Sequence, residues 1–366
     1  MIRDMPDINE ILKISQDLIR IKSTKDRPQD IGLCLDYAEK CLKDTSLTIK
    51  RFESNGVPSL VATKSGTKAP KIFLNGHLDV IEAHDKQFEP KIEDGKLIAR
   101  GASDMKSAVA IMLVLMKELH TTHDIGLMLV GDEESGGFNG TKYLLDQGYT
   151  CQAAIIPDGG TAIQNIMHKA KGAMWVELTA TGQAAHASRP WQGENAINKL
   201  LLAIDRVHNL FLNPTKHSDD HWATTCNIGN IRGGDSANVV PSHAVAVCDI
   251  RHIENDNQQS ILRRIQNSLP DGVTAKQTVE VESLFVKDDD PYLIAYQEAI
   301  RSIGREPRLC LDHGASDARF FGARGIPTLI SVPDSGGNHT ENEWVSINAL
   351  EDFAKMLKYF LNKITK

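Results

Sequence analysis

Nowhere in its 366 residues does this chain stay apolar long enough to cross a bilayer. The longest apolar run, residues 108–116, is about half of the ~20 residues a spanning helix needs. Its first residues, Met-Ile-Arg-Asp-Met-Pro-Asp, bring acids at once and lack the apolar stretch and small-residue cleavage site of a secretory signal. Both absences predict a cytoplasmic protein with no membrane role. A basic excess is missing too: 41 Lys and Arg stand against 48 Asp and Glu, a formal net charge of -7. The one basic cluster, Arg263-Arg264, falls inside an amphipathic helical pattern. The cationic patch that a phosphate backbone requires is therefore absent, which argues against nucleic acid as a partner. Six cysteines (Cys34, Cys41, Cys151, Cys226, Cys248, Cys310) include no CxxC pair. Scattered in this way they read as reduced core residues, not as a disulfide framework or a thiolate metal site.

What is present is a globular composition, 41% hydrophobic and 24% charged, over a length that exceeds one ordinary core. Two domains follow. The first third alternates helix (8–21, 31–42, 107–120, 140–147) with short strands (47–52, 60–63, 71–74, 125–130, 153–156), the pattern of an α/β sheet covered by helices. The middle changes character. A strand at 173–180, a helix at 195–212, strands at 224–231 and 244–252, a helix at 258–269 and a strand at 273–284 give the order β-α-β-β-α-β. That is the split βαβ, ferredoxin-like pattern, complete in itself and therefore insertable. The α/β pattern then resumes with helices at 291–303, 316–323 and 349–364 and a strand at 328–332. The expected division is residues 1–171 with 287–366, and residues 172–286 as the insert.

Five candidate metal ligands fall just beyond predicted strands or before a predicted helix. They are His77 in Asn75-Gly76-His77-Leu78-Asp79, Asp104 in Gly101-Ala102-Ser103-Asp104-Met105-Lys106, Glu134 in Asp132-Glu133-Glu134-Ser135-Gly136-Gly137, Asp158 in Pro157-Asp158-Gly159-Gly160 and His339 in Gly336-Gly337-Asn338-His339-Thr340. In open α/β sheets ligands bind at the carboxyl ends of the strands, and the flanking glycines permit tight turns there. Alone, Asp104 reads as a helix cap and Asp158 as a turn former. Five such coincidences read as a site. Two His and three carboxylates suit a pair of divalent ions sharing one carboxylate, zinc first, with cobalt or manganese accepting the same donors.

Taken together, these segments resemble the metallopeptidase family that includes aminoacylase, acetylornithine deacetylase, succinyl-diaminopimelate desuccinylase and carboxypeptidases, the M20-type zinc hydrolases. The resemblance runs from near residue 8 to the C-terminus. It implies a zinc-peptidase-like catalytic domain with a ferredoxin-like lid that also serves dimerisation. It implies Asp104 as the ligand shared by two ions, with His77 and Asp158 completing one site and Glu134 and His339 the other. Asp79 would orient the ring of His77, Glu133 would be the general base, and the Asp104–Met105 peptide would be cis. His186, in Gly182-Gln183-Ala184-Ala185-His186, resembles the family's oxyanion donor, supplied in dimeric members by the neighbouring subunit. Asn238 and Arg251 would grip a substrate carboxylate, for which the planar guanidinium is suited. Gly314 and Ser316 fall in a segment resembling the family's substrate loop, although His313-Gly314-Ala315-Ser316-Asp317-Ala318-Arg319 departs from the desuccinylase form Gly-Gly-Thr-Ser-Asp-Gly-Arg. The implied reaction is metal-dependent hydrolysis of an N-acyl-L-amino acid, a small-molecule substrate, by a homodimer. A carboxypeptidase or dipeptidase with the same site is the alternative, and a non-enzymatic amino-acid-binding relative is a second.

Overall fold

The structure, a computed structural model, describes residues 6–212, 222–314 and 316–365. The chain divides into two units, one of Met1–His168, Phe285–Asp312 and Ser316–Lys366, the other of Lys169–Leu284 and His313–Ala315.

A six-stranded mixed sheet organises the first unit. Its strands lie in the order Leu47–Ser54, Val57–Lys64, Ile125–Val130, Ile72–His77, Ala153–Ile155, Thr328–Leu329. The first two form a hairpin closed by Asn55-Gly56, both at positive φ (47° and 78°). Asn-Gly is the residue pair that such a two-residue turn selects. The remaining strands run parallel to one another. Parallel strands are covered on both faces and so become continuous apolar runs without alternation. Accordingly every residue of Ile72–His77 and of Ile125–Val130 is buried.

The helix Lys106–Leu119 is apolar on all sides and is buried from Lys106 through Met116. It packs against the sheet and against the helices Ile8–Arg20, Pro28–Leu42 and Ile347–Ile364. A helix apolar all round belongs in a core, and that is where it sits. Its first residue, Lys106, is itself fully buried. The ammonium donates to the carbonyls of Leu18 (3.0 Å) and Ile21 (2.7 Å) at the end of the Ile8–Arg20 helix, which also accept the N–H groups of Ile21 and Ser23.

The second unit is a four-stranded antiparallel sheet in the order Thr225–Gly233, His243–His252, Gly172–Thr181, Val273–Val281. Numbered by chain order, the strands stand 2-3-1-4, and the helices Ala196–Leu210 and Gln258–Ser268 complete the βαββαβ pattern. Each helix opens on an asparagine whose side chain accepts a backbone N–H, Asn195 from Asn198 and Asn257 from Ser260. Among the described residues of this unit the two helices cover one face of the sheet, and its strands alternate: Met174, Val176, Leu178 and Ala180 point into the core with Leu200, Ala203, Ile261 and Ile265.

The strand expected to stop at residue 74 continues to His77. The strand expected over 328–332 is confined to Thr328–Leu329, since the next carbonyl, that of Ile330, accepts instead from Met167. The helix expected over 316–323 is the shorter Ala318–Gly322. No helix among the described residues is long and apolar enough to cross a membrane.

Candidate metal centre and active site

The parallel strands present candidate ligands at and beyond their carboxyl ends. His77 ends its strand, Glu133 and Glu134 open the turn after Val130, Asp158 lies three residues beyond Ile155, and Asp104 precedes the buried helix. Ligand-capable atoms of His77, Glu133 and Asp158 all lie within 4.8 Å of one another, and those of Asp104, Glu134 and His339 form a second such group. Asp104 joins the two. Its Oδ1 is 2.9 Å from His77 Nε2 and its Oδ2 is 3.3 Å from His339 Nε2. His339 Nε2 also lies 3.2 Å from Glu134 Oε1. The Asp104–Met105 peptide is cis.

The supporting bonds fix which atoms face the centre. His77 Nδ1 is 2.9 Å from the carbonyl oxygen of Asp79, which can only accept, so Nδ1 carries the proton and Nε2 is left as the ligand atom. The Asp79 carboxylate stands farther from the ring, 3.5 Å, and is engaged elsewhere. Its two oxygens accept the backbone N–H groups of Glu133 (3.3 Å) and Glu134 (2.9 Å). Asp79 thus holds the glutamate turn with its side chain and the histidine ring with its backbone. Asp132 closes the turn from the other side by accepting the N–H of Asn139 at 2.8 Å.

Sequence reasoning missed a second layer. Glu343 is buried, and its Oε1 accepts the N–H groups of Ser103 (2.9 Å) and Asp104 (3.1 Å), while Oε2 pairs with buried Arg100. Beneath the glutamate turn, buried Asp317 accepts from Thr141 Oγ1 (2.6 Å), which accepts in turn from Asn75 Nδ2 (3.1 Å). Asp317 was legible inside the quoted loop motif, and Glu343 only as one more acid after His339.

Charge tells what the cluster is missing. Asp79, Asp104, Glu133, Glu134 and Asp158 converge around two imidazoles. Burial, aided by Asp158, pushes Glu133 up to about 10, and burial with Asp104 pushes Asp158 up to about 8. The hydrogen bond to Asp104 raises His339 to about 9. Burial opposes a charged His77, but its bonds to Asp104 and Asp79 prevail and its pKa is raised. Burial likewise opposes ionised Asp104, and the bonds from His339 and His77 outweigh it, so Asp104 stays below the usual carboxylate range. Five converging carboxylates around two imidazoles are a donor set that favours added positive charge. Imidazole nitrogen and carboxylate oxygen in two linked groups fit a pair of divalent ions of the zinc, cobalt or manganese kind.

The remaining candidates belong mostly to the second unit. His186 and Asn238 are neighbours there: Ala187 donates to the Asn238 carbonyl (3.0 Å) and Val240 to that of Ala185 (2.8 Å). The backbone N–H of Ser188 donates to His186 Nδ1 at 3.2 Å. Nδ1 is therefore the acceptor, and exposed Nε2 carries the proton. Asn238 Oδ1 accepts from Ser236 Oγ at 2.5 Å. Arg251 lies at the far end of the sheet. The His186 and Asn238 segments adjoin the start of the strand His243–His252, and Arg251 is eight residues along it, roughly 26 Å at ~3.3 Å per residue. Its guanidinium holds Asp249 through two bonds of 2.8 and 3.0 Å. Asn238 and Arg251, expected to grip one carboxylate, do not converge within one chain. Gly314 is grouped with the second unit and Ser316 with the first, where Ser316 Oγ accepts from the N–H of Ala318 (3.4 Å).

The chain matches Peptidase family M20/M25/M40 over residues 73–363. It is 27% identical to a succinyl-diaminopimelate desuccinylase of Delftia acidovorans, over 98% of this chain and 99% of that one. Among solved structures, aminopeptidase PepT of Bacillus cereus superposes with a TM-score of 0.79 at 21% identity, covering 99% of this chain and 100% of its own. A dinuclear metal-binding M20 peptidase of Bacillus subtilis does so with a TM-score of 0.70 at 14% identity, over 98% and 99%. The chain belongs to peptidase family M20/M25/M40, and it is a metal-dependent hydrolase acting on amide or peptide bonds.

Proposed function

We propose that this hydrolase cleaves the amide bond of an N-acyl-L-amino acid in the cytoplasm, using two divalent ions that share Asp104. The observation that carries the reading is the orientation of Asp104, whose two oxygens face two separate ligand groups. His77 and Asp158 would complete one site, and Glu134 and His339 the other, with zinc the first candidate. Bound there, such ions supply an acidified water and a polarised carbonyl.

The chain's own residues do the rest. Glu133 takes the proton of the attacking water and returns it to the leaving amine. Burial, aided by Asp158, raises its pKa, which suits a base that must also act as an acid. His186, with Nε2–H exposed, donates to the developing oxyanion. Arg251 binds the carboxylate of the amino acid after exchanging Asp249 for it, a bidentate pairing of the same geometry. Asn238, Gly314 and Ser316 contribute further substrate contacts. Because His186 with Asn238 and Arg251 lie at opposite ends of one lid sheet, a site using both draws them from two copies of the chain, which favours a homodimer.

The N-acyl amino acid class is supported by the Delftia relative's name, and the same machinery would also serve a short peptide. Turnover on a panel of acetyl-, formyl- and succinyl-amino acids and of dipeptides, with and without chelator, tests the proposal. Chelator-sensitive release of an amino acid from one acyl class is the expected result. Cleavage of peptides alone would replace it with the carboxypeptidase or dipeptidase reading. No turnover on any substrate with zinc, cobalt or manganese present would favour the amino-acid-binding relative.

A further inference from the structure

Two stretches of chain that carry ligands are tied together by a buried ion pair that touches neither ligand atom. The strand Trp344–Ser346 pairs antiparallel with Lys96–Ile98, so Glu343, just before the one, meets the residues just after the other. The Glu343 carbonyl accepts the N–H of Ala99 at 3.1 Å. Its side chain turns inward, 1% exposed, beside Arg100 at 3%. Oε1 accepts the N–H groups of Ser103 and Asp104, and Oε2 pairs with Arg100 Nη1. Arg100 Nη2 then donates to the carbonyl of Thr340 (3.0 Å), the residue after His339. A second tie runs parallel to the first: Ser103 Oγ donates to Asn338 Oδ1 (2.7 Å), the residue before His339. The turn that presents Asp104 is thus tied, through Arg100, Ser103 and Glu343, to the residues on both sides of His339.

We propose that Glu343, charge-balanced by Arg100, is a positioning residue that sets Asp104 against His339 and so fixes the geometry with which Asp104 serves two ions. The proposal rests on the dinuclear reading given above. A buried ion pair is a poor source of stability, because desolvation of both partners offsets their attraction. Its placement here matches a different task. His339 sits in the left-handed region at φ 63°, half-exposed, on a glycine-rich loop. The N–H of Asp104 is bonded to a carboxylate that cannot move without breaking its pairing with Arg100. Groups that orient metal ligands typically change metal affinity by about 10- to 100-fold when lost. Neither Glu343 nor Arg100 contacts substrate or a ligand atom in this arrangement, so their effect passes through Asp104 and His339.

The test is zinc uptake by chelated protein, read by competition with a chromophoric chelator, together with the thermal midpoint of the metal-free form. Wild type, Glu343→Ala, Glu343→Gln and Ser103→Ala are compared. Glu343→Ala is expected to weaken at least one zinc equivalent by about 10- to 100-fold. Glu343→Gln keeps an acceptor for the two N–H groups and should recover part of that loss. Ser103→Ala leaves the ion pair intact and should weaken zinc by at least about threefold with little change in the metal-free midpoint, a readout that survives if the Glu343 variants do not fold. Folded Glu343 variants with both affinities within about twofold of wild type would overturn the proposal, even if their midpoints fall. So would an unchanged Ser103→Ala where the Glu343 variants fail to fold. If wild type itself takes up no zinc, cobalt or manganese, the dinuclear reading falls and this inference with it. Two ions on wild type with unaltered variants would sink this inference alone.

Discussion

Glu133 and Glu134 are adjacent in sequence and face different partners. The short 3-10 turn Glu133–Ser135 splays their side chains, and Asp79 holds both of their N–H groups, so neither is free to exchange places with the other. Glu134 reaches His339, and Glu133 lies with His77 and Asp158. If Glu133 is the base, Glu133→Gln should lower kcat by about 10²- to 10⁴-fold while the bound metal stays at the wild-type count. A variant that loses metal in proportion to activity would make Glu133 a ligand. The candidate ligands were legible because each is a His or an acid near glycine, beyond a strand or before a helix, a local pattern. Glu343 and Arg100 were not, because their pairing spans 243 residues and depends on a strand register that no local pattern announces.

The turn after Val130 shows how an element is built around one residue without a side chain. Gly137 has φ 65°, and a Cβ there would lie 1.9 Å from Asp317 Oδ1 and 2.9 Å from Phe320. Gly137→Ala would force apart the glutamate turn and the buried Asp317 beneath it. We expect a loss of about 1–3 kcal/mol in stability, measured by denaturant unfolding, accompanied by a fall in kcat. Wild-type stability and turnover would mean the turn has slack that the structure does not show. At this scale the long helices and the buried strands were readable from their apolar runs. The small hairpin Lys91–Glu93 with Lys96–Ile98 was missed, although Asp94-Gly95 marks its turn, because each strand is only three residues long and the first is exposed throughout. That hairpin is what brings Arg100 to Glu343.

Across the molecule, the change from continuous to alternating apolar strands follows from burial on two faces in one sheet and on one face in the other, which is why the βαββαβ order could be read directly. The separation of His186 from Arg251 could not, since it depends on strand direction in the folded sheet. It yields a sharp expectation for the proposed dimer. His186→Ala and Arg251→Ala should each be nearly inactive alone, yet an unfolded-and-refolded equimolar mixture should regain about a quarter of wild-type turnover. Half the dimers would then be mixed, each with one of two sites intact. No recovery in a mixture shown to contain mixed dimers would place both residues at one site within a single chain.

Whether the convergent acids and imidazoles hold two ions is decided by stripping the protein with chelator and titrating zinc back at neutral pH, following uptake, proton release and turnover together. Two equivalents per chain are expected, with turnover returning as they bind. Protons should be released, because Glu133, Asp158 and His339 are pushed up to about 10, 8 and 9 in the metal-free cluster and hold protons there. Uptake of no ion, or full turnover in the stripped protein, would mean that the cluster is not a dinuclear metal centre.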